Sequence, residues 1–359
     1  MRPKHSDYIP WAKLHSSAKF NLASSGVAGF PLSELPVTIE QLQINGDSAY
    51  GYAPLQQAIA RKCGVDPDCV VAAAGTSMAN HLAMAALLDP GDQVLIEHPT
   101  YEPLTAAALY LGAEVKTFAR KEENGYALEA AEIRRVLSPR TKLIVLTNLH
   151  NPTSVLAPDS VLREVGDLAR SVGAHVLVDE VYLDAVYQNT PPSAFHLGPE
   201  FVVTNSLTKA YGLSGLRSGW ILAQPALARA MWRLDDLYGS IPAHPAELLS
   251  VVAFQHLPAI RERARKIVDA DRLLLNDFLS RQTAVSAVRT EFGTTAFPRL
   301  KTGDPELFLQ KLRTQFETSA VPGRFFGMPH HFRIGLGVNT EMFAEGLRRI
   351  ALALEGSAD

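Results

Sequence analysis

The sequence predicts an α/β protein in which a large domain has a mostly parallel sheet covered by helices, and a smaller domain has an α+β arrangement. Two observations lead to this prediction. Short apolar runs rich in β-branched residues alternate with longer helical stretches over roughly the first two thirds of the chain. After residue 245 the alternation stops, and strand candidates and helices follow in no regular order. Continuous apolar strands separated by helices are typical of a parallel sheet buried on both faces. An irregular order is typical of α+β domains.

The large domain contains the clearest strand and helix patterns. Residues 142–147 and 175–179 are continuous apolar runs, and an amphipathic stretch at 157–172 separates them. Apolar runs of this length between helical patterns indicate buried strands. Further strands are predicted at 70–74, 93–97, 114–118, 201–205 and 220–223, and further helices at 77–88, 101–111 and 127–137.

The rest of the chain differs in character. A long helical pattern covers 246–279, and Pro258 should break or kink it because proline removes a helical hydrogen bond. The first 40 residues contain four prolines and little periodicity, so they are predicted to form an arm that belongs to the smaller domain. We therefore expect an arm at 1–40, a large domain at 41–245 and a small domain at 246–359. In the small domain, strands are predicted at 285–289, 294–300 and 332–336, and helices at 305–315 and 341–354.

Composition excludes several classes of protein. The chain has 359 residues, of which 47% are hydrophobic and 20% charged, so it is globular and not disordered. Its 34 basic and 37 acidic residues give a net charge of -3, which provides no basic field for nucleic acid or an anionic membrane. Two cysteines, Cys63 and Cys69, are too few for a disulfide framework or a zinc site, and no metal site is predicted. Without a signal peptide or a membrane-length apolar run, we predict a cytoplasmic location.

A candidate phosphate site follows the first strand of the large domain. Gly75, Thr76 and Ser77 come directly after this strand and begin a helix. Free backbone N–H groups and the helix dipole at such a position suit a phosphate group. Taken alone, the pattern is better explained by Thr76 or Ser77 capping the helix. The glycine fingerprints of dinucleotide and nucleoside triphosphate sites are absent from the sequence.

Polar residues follow two of the buried strands. Asp179 and Glu180 end the strand at 175–179, with Tyr182 close behind, and Asn151 follows the strand at 142–147. In α/β proteins, ligands bind at the carboxyl ends of the strands. Considered alone, Asp179 is more typical of a helix N-cap or a surface loop, and Asn151 is typical of a turn before proline.

The stretch at 206–220 is the most informative. It reads Ser-Leu-Thr-Lys-Ala-Tyr-Gly-Leu-Ser-Gly-Leu-Arg-Ser-Gly-Trp and places Lys209 and Arg217 among three glycines. Glycine is favoured where the chain turns tightly or approaches a ligand closely. A lysine desolvated among such turns has a lowered pKa and becomes a nucleophile toward an aldehyde.

Together these motifs resemble those of the class I and II aminotransferases, which have the aspartate aminotransferase fold and belong to the fold-type-I pyridoxal-phosphate enzymes. The resemblance extends from Tyr50 to Arg333. It implies that the large domain binds pyridoxal 5'-phosphate and that Lys209 forms a Schiff base with it. Asp179 would keep the pyridine nitrogen protonated, which makes the ring an electron sink. Tyr182 would hydrogen-bond the phenolic oxygen of the cofactor and belong to the catalytic group.

The resemblance also implies the remaining contacts. Asn151 would bind the phenolic oxygen beside Tyr182 and, with Gly26, adjoin the substrate. Tyr101 would stack on the cofactor ring, and Arg333 would bind the substrate's α-carboxylate. Tyr50 would reach the phosphate bound by the partner subunit. The cofactor phosphate would be held by Gly75, Thr76, Ser77, Ser206 and Arg217.

Two departures from the family pattern are visible, and one is around Ser24-Ser25-Gly26, where Gly26 would fill the place of the glycine that the family often has near the substrate. The residue after Asn-Pro-Thr is usually glycine in the family and is Ser154 here, which is expected to reshape that turn. No arginine is identifiable for a distal substrate carboxylate, so the sequence does not support a dicarboxylic substrate.

The resemblance predicts an aminotransferase that works as a homodimer with shared active sites and takes amino-acid and 2-keto-acid substrates. A lyase, cyclase or racemase with the same cofactor remains an alternative, because all these reactions start from the same carbanion. A regulatory protein on this scaffold is a further alternative, although regulators of this kind usually carry a DNA-binding module and the arm before Tyr50 is too short for one. A nicotinamide-dependent dehydrogenase would need a glycine fingerprint that is absent.

Overall fold

The computed structural model describes residues 2–46 and 49–355. Residue 1 and residues 356–359, the outer ends of the predicted arm and small domain, lie outside this part of the chain. The helices are α1 Tyr8–Leu14, α2 Ala53–Cys63, α3 Thr76–Leu87, α4 Glu102–Leu111, α5 Ala130–Val136, α6 Asp159–Ser171, α7 Pro225–Asp235, α8 His244–Gln255, α9 Leu257–Arg281, α10 Pro305–Gln315 and α11 Thr340–Glu355. The strands are β1 Phe20–Asn21, β2 Val70–Ala74, β3 Gln93–His98, β4 Glu114–Ala119, β5 Thr141–Thr147, β6 His175–Asp179, β7 Phe201–Ser206, β8 Ser218–Leu222, β9 Val285–Ser286, β10 Thr295–Ala296, β11 Arg299–Leu300, β12 Thr318–Ser319, β13 Val321–Pro322 and β14 Phe332–Gly335.

Within the described residues, the centre of the molecule is a seven-stranded sheet in the order β2-β8-β7-β6-β5-β3-β4. The pairs from β7 to β4 are parallel, and β8 is antiparallel to both β2 and β7. The predicted α/β class with a mostly parallel sheet is therefore confirmed. The order of strands brings the carboxyl ends of β5, β6 and β7 side by side, which is where α/β proteins bind ligands.

The central strands are apolar throughout because helices cover both faces of the sheet. Along β5, Ile144 and Leu146 pack into the core on one face, and Leu143 and Val145 pack into the core on the other. All four side chains are fully buried. Burial of each such side chain contributes roughly 1.5–3 kcal/mol, so the continuous apolar run stabilises the sheet from both sides.

The C-terminal part of the chain forms small sheets and long helices. The predicted helix at 246–279 is two helices, α8 and α9, which meet at His256, and Pro258 lies in the first turn of α9. Proline suits that position because its missing N–H has no partner there. Strand β14 lies between β10 and β13 in an antiparallel sheet, and β1 from the N-terminal arm pairs in parallel with β12. A separate apolar core lies beneath these elements.

The arm thus packs on the C-terminal region, while the proposed boundaries at 40 and 245 stay a prediction. None of the described helices combines the length and apolar character that crossing a membrane requires.

Candidate active site

A cavity of about 120 Å³ lies at the carboxyl ends of the central strands. Side chains from β5, β6, the start of α3 and the loop after β7 meet there because these chain segments are neighbours at one edge of the sheet. Its lining residues are Thr76, Ser77, Asn80, Tyr101, Thr147, Asn151, Asp179, Val181, Tyr182, Thr208, Lys209 and Arg217. Eight of these were predicted as site residues, and the structure brings them into one place.

Lys209 projects into this cavity from the loop after β7. Its Nζ donates a hydrogen bond to Ser25 Oγ at 3.0 Å, and Tyr182 OH donates to the same oxygen at 2.8 Å. Gly26 packs on the aliphatic stem, since a Cβ there would lie 3.3 Å from Lys209 Cδ. Burial lowers the pKa of Lys209 and outweighs the opposing effects of Tyr8 and Asp179. This shift increases the fraction of neutral, nucleophilic amine at this position.

Asp179 is buried at the end of β6 and is held by two hydrogen bonds. Asn80 Nδ2 donates to Oδ2 at 2.7 Å, and the backbone N–H of Val181 donates to Oδ1 at 3.0 Å. Thr204 Oγ1 donates to Asn80 Oδ1 at 2.6 Å, which fixes the orientation of the amide. Burial raises the pKa of Asp179 to about 6, although both hydrogen bonds oppose the rise. The carboxyl group is thus oriented by the fold and is mostly ionised at neutral pH.

The predicted phosphate loop has the geometry of an anion site. Gly75 precedes α3 at φ +79°, a conformation that favours glycine. Thr76 and Ser77 in the first turn of α3 line the cavity, so this helix N-terminus lies beside it. Strand β8 passes so close that a Cβ on Gly219 would lie 2.5 Å from the carbonyl carbon of Gly75. Arg217 lies beside the loop and donates to the carbonyls of Ala74 at 3.2 Å and Ser214 at 3.3 Å.

Three buried polar atoms in and beside the cavity have no hydrogen-bond partner among the described residues. Two are the hydroxyl oxygens of Thr76 and Thr208, which line the phosphate side, and the third is Nε of Arg333. A buried polar atom without a partner is costly, so each of these atoms is suited to a bound group. Oxyanions on two sides of the cavity would satisfy all three.

Arg333 is fully buried on β14, next to the cavity. Its Nη1 donates to Asn151 Oδ1 at 3.1 Å, and its Nη2 donates to Tyr8 OH at 3.1 Å and to the carbonyl of Ala23 at 3.2 Å. The guanidinium carbon also lies 5.2 Å from the ring centre of Phe326. The guanidinium is therefore fixed in position, with Nε still able to donate.

The loop that carries Asn151 is anchored to the end of β5. Asn151 N–H donates to Thr147 Oγ1 at 3.0 Å. Both the N–H and the hydroxyl of Thr147 donate to Glu97 Oε1 at 2.6 Å, and Arg120 Nη1 bonds the other oxygen of Glu97 at 2.9 Å. This buried chain of bonds holds the loop against the sheet.

Five predicted site residues are absent from the cavity lining of this chain, and two of them, Gly75 and Arg333, lie beside it as described above. Ser206 is fully buried, and its Oγ accepts a hydrogen bond from the N–H of Thr208 at 3.2 Å. Tyr50 is exposed and donates to Asp236 Oδ2 at 3.0 Å. Gly26 lies behind Lys209, as described above. The roles predicted for these residues stay predictions, and that of Tyr50 depends on a second subunit.

Sequence reasoning missed several residues of this site. Asn80 is on the second turn of α3, Ser25 and Tyr8 come from the arm, and Thr208 precedes the lysine. Only Thr208 had a local signal, because it adjoins Lys209 in the glycine-rich stretch. Tyr8 also packs edge-on against Tyr101, with ring centres 5.4 Å apart.

Comparison with known proteins assigns the chain to a family. The model of aminotransferase class I and II matches residues 38–350. The chain belongs to this family. Capreomycidine synthase from Streptomyces vinaceus is 30% identical over 348 positions, which cover 93% of this chain and 89% of that protein. The arginine–pyruvate transaminase of Pseudomonas aeruginosa is 28% identical over 368 aligned positions, covering 96% and 92%.

A pyridoxal-phosphate-dependent aminotransferase from Streptococcus suis has the same fold. It superimposes with a TM-score of 0.93 at 26% identity and covers 100% of this chain and 99% of its own. Membership of this family makes the chain an enzyme that uses pyridoxal 5'-phosphate. The residues present fit that cofactor: Lys209 for its aldehyde, Asp179 for its ring nitrogen, and the Gly75 loop with two unpartnered hydroxyls for its phosphate.

Proposed function

We propose that this enzyme transfers an amino group from an amino acid to a 2-keto acid, and that Lys209 both binds the cofactor and moves the proton. Transamination is the activity that the family assignment supports. The observation that carries the proposal is that Lys209, with a lowered pKa, shares one cavity with the buried carboxyl group of Asp179. Pyridoxal 5'-phosphate, when bound, supplies an electron sink for the negative charge that develops at Cα.

Proton transfer at Cα is assigned to Lys209 Nζ. A lowered pKa increases the fraction of neutral amine at pH 7, and only the neutral amine can accept a proton. Ser25 Oγ accepts the hydrogen bond from Nζ and is itself held by the hydroxyl of Tyr182, so Nζ is kept on one side of the cavity. A positioned base of this kind contributes about 10²–10⁴-fold to a reaction rate.

Arg333 is proposed to bind the α-carboxylate of the substrate. Its bonds to Asn151 and Tyr8 fix the buried guanidinium in place, and its unpartnered Nε can donate a charge-assisted hydrogen bond to a carboxylate. The cations that line the cavity in the described chain are Lys209 and Arg217. With both assigned to the cofactor, the lining formed by the described residues of this chain gives no support for a dicarboxylic amino donor.

An amino-acid panel tests the proposed reaction. The holoenzyme is mixed with each amino acid alone and then with pyruvate added, while the cofactor absorbance and the keto-acid product are followed. We expect a donor to change the cofactor absorbance by one equivalent per site when it is alone. Continuous product formation should begin only when pyruvate is present. A panel that gives no acceptor-dependent turnover with any donor would contradict the proposal.

A second candidate reaction is a cyclisation or elimination at the same cofactor. The 30% identity to a protein named capreomycidine synthase is the observation that favours it. Lys209, Asp179 and Arg333 would serve either reaction, since both start with removal of the Cα proton. Steady consumption of an amino acid without any keto acid would establish this candidate in place of the first.

We further propose a homodimer whose active sites are each completed by Tyr50 of the other subunit. The exposed phenol of Tyr50, which lies outside the cavity of its own chain, supports this arrangement. One hydrogen bond to a phosphate contributes roughly 1.5–3 kcal/mol, so Tyr50→Phe should weaken cofactor binding about tenfold to a hundredfold.

Mixing two inactive variants, Tyr50→Ala and Lys209→Ala, tests the shared site. A heterodimer would place both lesions in one site and leave the other intact, so activity should partly return. No recovery despite demonstrated subunit exchange would assign Tyr50 to its own chain.

The cytoplasmic location also stays a proposal, supported by the two free cysteines.

A further inference from the structure

Ser154 has a backbone conformation that is unusual for serine. It follows Asn151-Pro152-Thr153 with a φ of +62°, in the left-handed region that glycine adopts without cost. Its backbone N–H donates to the carbonyl of His150 at 2.6 Å, which closes the turn. A serine that is retained in this conformation needs a contact that glycine could not make.

The hydroxyl of Ser154 provides that contact. Ser154 Oγ lies 2.9 Å from the carbonyl oxygen of Thr295, 2.9 Å from Thr295 Oγ1 and 3.2 Å from the N–H of Thr295. A hydroxyl has one proton to donate and two lone pairs to accept with, and these three partners use all of them. Both residues are buried, so water does not compete for these bonds.

The backbone opposite Ser154 is shaped to receive this side chain. Gly293 has a φ of +87°, and a Cβ there would lie 2.3 Å from Ser154 Oγ. Its N–H donates to the carbonyl of Ala185 at 3.2 Å, and its carbonyl accepts a hydrogen bond from Arg272. The segment that receives Ser154 is therefore held from two other sides.

The contact between Ser154 and Thr295 connects the loop that carries Asn151 to the sheet that carries Arg333. Thr295 is on β10, where it pairs with Gly335 of β14, and Arg333 is two residues earlier on β14. Asn151 is three residues before Ser154 in the same loop. One connection thus ties the loop of Asn151 to the sheet of Arg333, whose side chains are in contact at 3.1 Å.

We infer that Ser154 is a positioning residue that fixes Arg333 relative to the Asn151 loop and so sets how firmly the enzyme binds the substrate's carboxylate. Ser154 does not line the cavity, so it acts through these neighbours. The inference rests on the proposed function in one respect, the assignment of Arg333 to the carboxylate.

Two ligands of the cofactor-free enzyme separate this role from a general effect on folding. Phosphopyridoxyl-alanine carries a carboxylate, and N-ethyl-pyridoxamine 5'-phosphate has the same skeleton without it. The ratio of their dissociation constants, measured by calorimetry, reports the carboxylate interaction. We expect Ser154→Ala and Ser154→Gly to reduce the preference for phosphopyridoxyl-alanine about tenfold, which corresponds to one or two hydrogen bonds. In the holoenzyme, the KM of the amino donor should rise more than kcat falls.

Controls distinguish the possible outcomes. Ser280→Ala removes a hydroxyl that bonds only a carbonyl of its own helix, and it should leave the ratio unchanged. If the wild-type enzyme shows no preference for the carboxylate, and Arg333→Ala changes nothing, the proposed role of Arg333 fails. If the wild-type preference is present but both Ser154 variants keep it, or weaken both ligands equally, the role of Ser154 is overturned.

Discussion

Two partly buried lysines line different cavities, and their pKa values are shifted in opposite directions. Lys209 projects into the cofactor cavity, and Lys62 from α2 lines a larger cavity of about 860 Å³ that also contains Glu180 and Asp184. Burial lowers the pKa of Lys209. Burial acts in the same direction on Lys62, but Asp184 Oδ1 lies 3.0 Å from its Nζ, and the resulting pKa is raised.

The difference shows that burial lowers the pKa of a lysine where no carboxylate pairs with it directly, and that an ion pair reverses the shift. Near Lys209 the carboxyl group of Asp179 is engaged by Asn80 and Val181, and the lysine meets only a hydroxyl. Lys62 instead forms an ion pair and lies 5.8 Å from the ring centre of Trp220. An ion-paired ammonium group keeps its proton, so it contributes to the stability of the fold and does not act as a base.

Substitution of the two lysines should give the largest contrast. Lys209→Ala is expected to reduce turnover by roughly 10⁴-fold, the upper end for a positioned proton-transfer group. It should retain some cofactor, because the phosphate contacts remain. Steady-state rates with the best donor of the panel measure the effect. Turnover of Lys209→Ala within tenfold of the wild type would contradict the assignment.

Asp179 and Glu180 are neighbours in sequence, but Asp179 lines the cavity of Lys209 and Glu180 lines the cavity of Lys62. Substituting each acid therefore compares the two cavities. Asp179→Asn should fold normally and lose about 10²–10³-fold in kcat, because a neutral amide cannot stabilise the protonated ring. Burial raises the pKa of Glu180 to about 8, so this side chain is mostly neutral at pH 7 and Glu180→Gln should stay within a few-fold of wild type. An N-methylated cofactor analogue should partly restore Asp179→Asn. Equal kinetic losses in both variants would show that Asp179 has no special electrostatic role.

Lys62→Met is expected to lower the free energy of unfolding and to leave the rate of turnover unchanged. It leaves Asp184 buried without its partner, which costs about 3 kcal/mol in the free energy of unfolding. Urea unfolding and activity assays on the same variant measure both properties. Lys266→Met is the matched control, because Lys266 is exposed and its pair with Glu262 spans 3.8 Å, so less than about 0.5 kcal/mol is expected. A large kinetic defect in Lys62→Met without loss of stability would overturn the contrast.

The pH dependence of stability should also differ between the two acids. The pKa of Asp179 is raised from 3.8 to about 6 in the cofactor-free protein, so the folded state binds more protons than the unfolded state in that window. Stability should therefore fall as pH rises from about 4 to 6, by up to about 3 kcal/mol.

Urea unfolding of the cofactor-free protein between pH 4 and 8 measures this dependence. Asp179→Asn should flatten the dependence below pH 6. Glu180→Gln should flatten it up to about pH 8, where Glu180 titrates. A wild-type stability that rises steadily across the lower window, with no difference in Asp179→Asn, would show that burial does not raise this pKa.

The features that could be predicted from the sequence are those that depend on contiguous residues. The apolar runs at β5 and β6 reflect burial on both faces, and Gly75 and Lys209 lie in local patterns that one turn of chain specifies. The antiparallel direction of β8 had no such signal, because its apolar run resembles that of a parallel strand.

Site residues that depend on distant contacts could not be predicted. Tyr8 meets Arg333 across 325 positions, and Ser25 meets Lys209 across 184, so no local pattern links the members of either pair. The arm was predicted from its prolines and weak periodicity, and these properties carry no information about which side chains reach the cavity. Asn80 lies within an ordinary helical pattern, and its role depends on contacts with Asp179 of β6 and Thr204 of β7. The helical pattern contains no information about these two strands.

The most direct test of the central claim is to identify the lysine that carries the cofactor. The holoenzyme is reduced with borohydride, digested and mapped by mass spectrometry, with Lys62 as the internal comparison. The contrast between the two lysines predicts a phosphopyridoxyl group on the peptide that contains Lys209 and none on the peptide that contains Lys62. A label on Lys62, or on any other lysine while Lys209 stays unmodified, would contradict it.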